Sequence, residues 1–202
     1  MRQAIAAAQI RLIEARGKKA ARPDVVFLGD SITEFWLEAD PWMFWPRRRN
    51  LGVSGSTTAD MLIRFERDVV PLQPKILHVM GGTNDLWYGA PGPEASDSIA
   101  NLVRIAERSK QLGISLILAA PPPISATAES LFASPHLYPV LVEALQRYGA
   151  AHDLVYVDYG DSLRDEHGGL RPRYTTDGVH LTRAGYHAMR QQTKQALRQL
   201  GA

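Results

Sequence analysis

Polar side chains that could carry out acyl transfer occur in four short stretches of the sequence. The first stretch, GDS, follows the apolar run 25–28 and ends at Ser31. A hydroxyl between a strand and the N-terminus of a helix lies where negative charge is favoured, which suits a nucleophile whose attack creates an oxyanion. Ser31 followed by Glu34 also fits a capping box, a pattern that merely starts a helix. Both interpretations of Ser31 are consistent with this stretch alone.

Two further stretches offer hydrogen-bond donors. In NLGVSGSTT, Gly55 permits a sharp backbone turn and can present its N–H without a Cβ in the way. The alternative there is a plain strand-to-helix turn, capped by Ser56 or Thr57. In GGTND, the Asn84 amide can donate to developing negative charge, and the alternative is an ordinary Asx turn. Neither stretch is specific by itself.

The fourth stretch, TTDGVHLT, contains an acid and a base three residues apart. His180 can act as a general base if Asp177 accepts the hydrogen on Nδ1, which would direct Nε2 at a serine. The stretch could instead start the last helix, with Thr182 or Asp177 as its cap. An Asp and a His are also plausible metal ligands. The other histidines compete poorly, and His78, in the middle of a predicted strand, is expected to be a core residue.

Several other kinds of site are excluded by the sequence. Ser54 lies in GVSGS, whose last residue departs from the G-x-S-x-G pattern of an α/β-hydrolase nucleophile. Neither G-x-G-x-x-G nor a Walker pattern occurs, so no glycine-rich phosphate loop is predicted. The chain has no cysteine, which excludes a thiolate nucleophile, a disulfide framework and a cysteine-ligated zinc.

The composition suits one ordinary globular domain spanning residues 1–202. The chain has 202 residues, of which 45% are hydrophobic, and a formal net charge of +2; these values are compatible with a single buried core. The basic run 47–49 precedes a predicted strand and is interpreted as its solvated entrance. We therefore expect no nucleic-acid partner.

The N-terminal segment 1–20 is predicted to contain a helix over residues 2–17 that packs on the core or extends from it, with Gly17 as its stop. Polar and charged residues interrupt every apolar stretch in this segment, so the pattern of a signal peptide is absent. No window reaches the roughly 18 consecutive apolar residues of a membrane span. We expect a soluble, cytoplasmic protein without an integral membrane segment.

Short apolar runs alternate with helical patterns along the rest of the chain. Such runs are typical of parallel strands covered on both faces. Their alternation with helices predicts a three-layer α/β/α sandwich around a five-stranded parallel sheet. The polar stretches would then meet at the carboxyl edge of the sheet, where open α/β sheets bind ligands. The predicted strands are Val25–Leu28, Asn50–Val53, Ile76–Met80, Ile114–Ala119 and Leu154–Val157, and the predicted helices are 57–66, 95–112, 139–148 and 182–200.

Aromatic residues near the predicted crevice are candidates for substrate binding. Trp87 follows Asn84 closely and, together with Asp30, is predicted to contact substrate. Large rings at such a site can bind acyl chains or stack on sugars, whereas a role in the core, in a lid or in an oligomer contact would explain them equally well. The other aromatic residues of this kind follow the first stretch: Trp36, Trp42, Phe44 and Trp45.

Taken in order, the four motifs resemble those of the SGNH, or GDSL-type, serine hydrolase family, and the resemblance extends over residues 25–187. The motifs place Ser31 in GDS, Gly55 in NLGVSGSTT, Asn84 in GGTND and His180 in DGVHLT. The first motif reads GDSI where the family name has GDSL, an exchange of one apolar residue for another. The second and third motifs are most similar to the branch with platelet-activating-factor acetylhydrolase-like and lysophospholipase-like members.

The resemblance implies a flavodoxin-like fold and hydrolysis of carboxylic esters without a metal or another cofactor. It implies Ser31 as nucleophile, His180 as general base and Asp177 as the residue that orients the base. The oxyanion hole would consist of the Ser31 N–H, the Gly55 N–H and the Asn84 side chain. We thus expect a serine esterase whose partner is a small acyl or acetyl ester. A carbohydrate acetyl esterase and a non-catalytic ligand-binding module are the alternatives, and a homo-oligomer is compatible with the sequence.

Overall fold

The structure, a computed structural model, describes residues 22–89 and 95–202. The helix predicted over residues 2–17 lies outside the described residues. Within them no helix has both the length and the apolar character needed to cross a bilayer. Strands and helices alternate in the order β1 Val25–Gly29, α1 Ser31–Ala39, β2 Arg48–Gly52, α2 Thr58–Arg64, β3 Ile76–Met80, α3 Thr83–Tyr88, α4 Ser96–Gln111, β4 Ser115–Ala120, α5 Tyr138–Ala151, β5 Val155–Asp158, α6 Gly160–Leu163 and α7 Arg183–Gln199.

The five strands form one parallel sheet, as predicted, and their order in it is β2-β1-β3-β4-β5. Gly29 at the end of β1 is in register with Gly52 of β2 and Met80 of β3. The loops after these three strands therefore leave from the same edge of the sheet. The chain moves outward from β1 to β2 and then returns to the other side of β1, so this edge contains the point where the strand order reverses and where such sheets form a crevice.

Alternate residues of β1 enter two separate cores, as the two-residue period of a strand requires. Phe27 belongs to a core that also contains Trp36 of α1 and Met189 of α7. Its neighbour Leu28 faces a second core, which is completed by residues of α2, α4 and α5, among them Met61. Apolar side chains thus cover both faces of the sheet, and the predicted α/β/α sandwich is confirmed.

The prediction for β2 was displaced by two residues at its start and by one residue at its end. The strand begins at Arg48 rather than Asn50 and ends at Gly52 rather than Val53. β2 is the outermost strand next to β1, and its residues are only half-buried or exposed. An edge strand accommodates charged side chains along its length, so the apolar pattern used for the interior strands misplaces its start.

His78 lies in the core, as predicted, and is neutral there because burial lowers its pKa to about 3. The hydroxyl of Thr193 donates to the Met189 carbonyl and accepts from the Tyr159 hydroxyl at 2.6 Å. The Tyr159 oxygen is therefore left to accept from His78 Nε2–H at 2.8 Å. Trp36 packs against His78 in this hydrogen-bonded group and is 0% exposed. Trp36 therefore belongs to the core and not to a substrate pocket.

Candidate active site

Ser31 is the first residue of α1, and the residue before it is the helix cap. Asp30 has extended backbone angles, and its Oδ1 accepts from the Ile32 N–H at 2.9 Å. The alternative of a capping box from Ser31 and Glu34 does not occur, because Glu34 turns to the loop after β2 and accepts from the Ser54 N–H at 2.6 Å. The Ser31 hydroxyl is consequently not required to start the helix.

The Ser31 hydroxyl is instead hydrogen-bonded to His180, with 3.0 Å between Oγ and Nε2. On the other side of the ring, Nδ1 lies 2.7 Å from Oδ2 of Asp177. The three side chains therefore form a continuous chain from a carboxylate through an imidazole to a hydroxyl. This is the arrangement in which a histidine can remove a proton from a serine while a carboxylate holds its orientation.

The direction of these hydrogen bonds follows from the ionisation of Asp177. Burial acts to raise its pKa, but hydrogen bonds from the His180 ring and from the backbone N–H groups of Val179 and His180 outweigh burial and hold the pKa at about 2. Asp177 is thus a carboxylate at neutral pH and can only accept, so Nδ1 of His180 is the donor in this hydrogen bond and Nε2 is the nitrogen that faces Ser31. Nε2 is then free to accept the Ser31 proton.

A tight turn places Asp177 and His180 together. Oδ1 of Asp177 accepts from the backbone N–H groups of Val179 and His180 at 2.9 and 2.8 Å. Gly178 has a positive φ of 87°, and a Cβ there would lie 2.5 Å from the Ser125 hydroxyl oxygen. Its carbonyl accepts from the Ser125 N–H at 2.8 Å. Glycine therefore lets the turn pack directly on the loop after β4. Thr182, not Asp177, caps α7.

The three predicted oxyanion donors lie on loops that hydrogen bonds tie together. The Ser31 N–H is in the first turn of α1, where N–H groups lack partners within the helix. Gly55 has a positive φ of 78°, a conformation that glycine adopts readily. The Asn84 amide nitrogen donates to the Ser56 carbonyl at 3.0 Å, and the Val53 N–H donates to the Gly29 carbonyl at 3.1 Å. The loop of Gly55 is thereby joined to the end of β1 and to the start of α3.

Asp85 fixes the start of α3 and with it the position of Asn84. Its side chain is 2% exposed and accepts from the Thr58 N–H at 2.9 Å and from the Thr58 hydroxyl at 2.6 Å. It also accepts from the Ser98 hydroxyl at 2.9 Å. One carboxylate thus links α3 to α2 and α4. Thr57 caps α2 in a capping box with Asp60, so the simpler interpretation of that loop is correct as well.

The two residues predicted to contact substrate lie in different environments. Asp30 is 1% exposed, and its carboxylate is occupied as the cap of α1, so it presents no open face to a ligand. Burial raises its pKa to about 6. Trp87 is 37% exposed and packs edge-on against Phe132, with ring centroids 4.9 Å apart. Trp87 can therefore present part of its ring beside Asn84.

Two further aromatic residues lie at the site, of which the sequence analysis did not single out Phe35. The Phe35 ring lies 5.1 Å from the His180 ring, and the hydroxyl of Tyr88 lies 3.8 Å from the position of a Cβ on Gly55. Both rings are exposed. The spacing of four residues between Ser31 and Phe35 would have indicated a shared helix face. No sequence signal relates Tyr88 to Gly55, because the contact joins different loops.

No group of three or more acidic, histidine or cysteine side chains suited to holding a metal occurs within residues 22–89 and 95–202. Asp177 and His180 are directed at each other and at Ser31. The geometry therefore favours proton transfer at this pair over the metal-site interpretation that the sequence left open.

Comparisons with known proteins agree with this fold and these motifs. The model of the GDSL-like lipase/acylhydrolase family matches residues 27–188. The structure of a GDSL-like lipase from Bacteroides thetaiotaomicron superimposes with a TM-score of 0.80 and 29% sequence identity, over 95% of this chain and 98% of that one.

Among curated proteins, the rat platelet-activating factor acetylhydrolase IB subunit alpha1 is 25% identical over 83% of this chain and 72% of its own length. The Bacillus subtilis lipoprotein YqeF is 42% identical over a shorter region, which is 34% of this chain and only 30% of that protein. Because the family model extends over most of the chain and includes all four motifs, the protein belongs to the GDSL-like lipase/acylhydrolase family.

Proposed function

We propose that the protein is a serine esterase that hydrolyses carboxylic esters of small acyl groups, acetyl esters included, through an acyl-enzyme. The observation that carries the proposal is the hydrogen-bonded chain from Asp177 through His180 to Ser31, with links of 2.7 and 3.0 Å. Family membership supports ester hydrolysis as the reaction class. The word acetylhydrolase in the name of the rat relative supports a short acyl group.

In the first half of the reaction, His180 Nε2 removes the Ser31 proton while Oγ attacks the ester carbonyl carbon. The carbonyl π electrons move to oxygen, and the N–H groups of Ser31 and Gly55 and the Asn84 amide stabilise the oxyanion. The C–O bond to the leaving group then breaks as His180 returns its proton to the departing alcohol. Asp177 remains ionised and stabilises the imidazolium.

In the second half, water replaces the alcohol. His180 takes a proton from the water while the water oxygen attacks the acyl carbon, and the same three donors stabilise the new oxyanion. The bond to Oγ breaks, Ser31 recovers its proton from His180, and the carboxylic acid leaves. The proton balance is closed, so the residues named are sufficient without an external acid or base.

The test combines turnover with direct labelling of the nucleophile. Purified protein is assayed with p-nitrophenyl acetate and longer p-nitrophenyl esters in the presence of a chelator, beside its Ser31→Ala variant. The same samples are treated with a fluorophosphonate and measured as intact proteins by mass spectrometry. We expect chelator-resistant turnover, one adduct on Ser31 and a preference for short acyl chains. Turnover that disappears with the chelator and returns with added metal would favour a metallohydrolase.

Asn84→Ala provides a second test of the proposed roles. Loss of one oxyanion donor typically lowers turnover by about 10²–10³-fold, and the variant should keep its fold because Asp85 still anchors α3. Near-normal turnover would remove Asn84 from the mechanism. If neither turnover nor an adduct is found in the wild-type protein, a ligand-binding module becomes the better description.

A further inference from the structure

Arg64, the last residue of α2, is a buried cation beside the proposed oxyanion loop. It is 6% exposed. Met61 and Phe65, which flank it along the sequence, are fully buried in the core. Removing a guanidinium group from water is costly unless its donors find acceptors. The chain widens into a π-helical turn immediately after Arg64, a local departure that frequently occurs at functional sites.

The donors of Arg64 reach three separate pieces of backbone and loop. Nη1 donates to the Gly29 carbonyl at 3.1 Å and to the Ser56 hydroxyl oxygen at 3.0 Å. Nη2 donates to the Leu51 carbonyl, and Nε lies 3.7 Å from Oδ2 of Asp68. Gly29 ends the strand that presents Ser31, and Ser56 follows Gly55. A single side chain therefore connects the nucleophile's strand to the loop of the predicted oxyanion donor.

Apolar packing contributes little to holding this loop in place. Residues 53–55 are exposed, and a cavity of about 350 Å³ lies against the loop. Hydrogen bonds hold it instead: Glu34 accepts from Ser54, Asn84 donates to the Ser56 carbonyl and Arg64 donates to the Ser56 hydroxyl. Among these three side chains Arg64 is the one that also donates to the end of β1, at the Gly29 carbonyl that accepts from the Val53 N–H as well.

We propose that Arg64 is a positioning residue that sets the Gly55 N–H relative to Ser31, acting through Ser56 and Gly29. The inference rests on the proposed esterase function. A lysine cannot replace this arginine, because an ammonium group concentrates its donors at one atom, whereas the planar fork of arginine reaches acceptors on different segments. The Arg64→Lys substitution keeps the positive charge but loses the planar arrangement of donors that reaches several acceptors.

The experiment compares Arg64→Lys with Arg147→Lys. Arg147 is a matched control, since it makes a single ion pair with Glu143 at 3.0 Å on an exposed surface. A displacement of about 1 Å at a reaction centre can cost about 10²-fold in rate. We expect kcat for p-nitrophenyl acetate to fall about 10- to 100-fold in Arg64→Lys, with KM changed less than about twofold. The control should match the wild type.

Two further measurements separate positioning from a general loss of stability. Backbone hydrogen exchange of residues 53–57 should become faster in Arg64→Lys, while that of α5 should stay unchanged. In an Asn84→Ala background, Arg64→Lys should have a smaller effect than in the wild type, because both side chains act on Ser56 and neighbouring sites are not additive. If Arg64→Lys fails to fold, Ser56→Ala removes only the hydroxyl acceptor and should give a smaller fall in kcat with the same faster exchange.

The outcomes distinguish the two proposals. A wild-type protein without turnover and without a Ser31 adduct would overturn the esterase function and, with it, the role of Arg64 in the reaction. An active wild type in which Arg64→Lys keeps normal kcat and normal exchange at 53–57 would overturn the Arg64 proposal alone. A fall in kcat accompanied by faster exchange in α5 as well as in residues 53–57 would indicate a general loss of stability. Arg64 would then be a merely structural residue, and the Arg64 proposal would also be overturned.

Discussion

The ring of Phe35 lies against the ring of His180, with centroids 5.1 Å apart and planes inclined by 48°. Phe35 follows Ser31 by four residues in α1, so the two side chains lie on one face of the same helix. One helix thus presents the hydroxyl and also covers part of the imidazole that binds it. With Asp177 hydrogen-bonded to Nδ1, the contact restricts rotation of His180 away from Ser31.

Phe35→Ala should therefore impair turnover more than stability. The ring is 41% exposed, so its loss removes less buried area than the loss of a core ring, and the ring pair itself contributes about 0.5–1.5 kcal/mol beyond area. We expect kcat to fall about 3- to 10-fold with a melting temperature close to that of the wild type. Phe35→Tyr keeps the ring and should retain normal kcat. Identical rates for the two variants would show that the ring contact does not orient His180.

Asp177→Asn should preserve the turn and disable the base. An asparagine oxygen can still accept from the N–H groups of Val179 and His180, but its amide group favours the ring tautomer with the proton on Nε2. In a serine protease with a Ser-His-Asp triad, the same substitution of asparagine for aspartate lowers kcat about 10⁴-fold. Steady-state kinetics alongside circular dichroism would check it. A loss of less than about tenfold would mean that Asp177 does not set the tautomer.

The low pKa of Asp177 also has a consequence for stability. Its folded pKa of about 2 lies below the usual value for an unfolded chain, so its contribution is fully present above about pH 4 and is lost as pH falls toward 2. Asp177→Asn lacks this contribution. The free energies of unfolding of the two proteins should therefore converge as pH is lowered from 4 to 2. A difference in unfolding free energy that stays constant over this range would contradict the low pKa of Asp177.

Asp30 should make the free energy of unfolding change with pH in the opposite direction, and at higher pH than Asp177. Burial raises its pKa to about 6, so between about pH 4 and 6 the folded protein holds a proton that the unfolded chain has lost. The free energy of unfolding should then decrease as pH rises through this window, by at most about 3 kcal/mol for a shift of this size. Asp30→Asn keeps an acceptor for the Ile32 N–H but cannot ionise.

Urea unfolding of Asp30→Asn and the wild type at several pH values measures this effect. We expect the variant to gain stability relative to the wild type as pH rises from 4 to 6, and the difference to be constant above about pH 7. A difference that does not change with pH would show that Asp30 ionises normally in the folded protein.

Two glycines of the same stretch should respond differently to alanine. A Cβ on Gly52 would overlap the backbone of Glu34, whereas on Gly55 the nearest atom would be the Tyr88 hydroxyl oxygen at 3.8 Å. Gly52→Ala must push β2 away from α1, and we expect a loss of about 3 kcal/mol. Gly55→Ala meets only backbone strain at its positive φ and should lose about 1 kcal/mol. Chemical denaturation of both variants tests the ranking; equal losses would contradict the packing of β2 on α1.

The apolar runs and turn residues predicted most of the fold. Interior strands such as β1 are recognisable because both of their faces are buried, and this makes them apolar without interruption. The prediction was least accurate at β2, whose edge position leaves charged residues in the strand. The sequence left open whether Ser31 caps α1, and the backbone angles with the hydrogen bond from the Ile32 N–H show that the neighbouring Asp30 is the cap.

The sequence by itself therefore determined the interior strands, the longer helices and the four motifs, since periodicity and turn chemistry are local properties. It also determined that the motifs share one edge, because parallel strands end on the same side. Tertiary structure alone decided which side chains touch. Ser31 and His180 are 149 positions apart, and Arg64 reaches β1 from α2. Such contacts depend on how distant segments pack, and no local pattern encodes that.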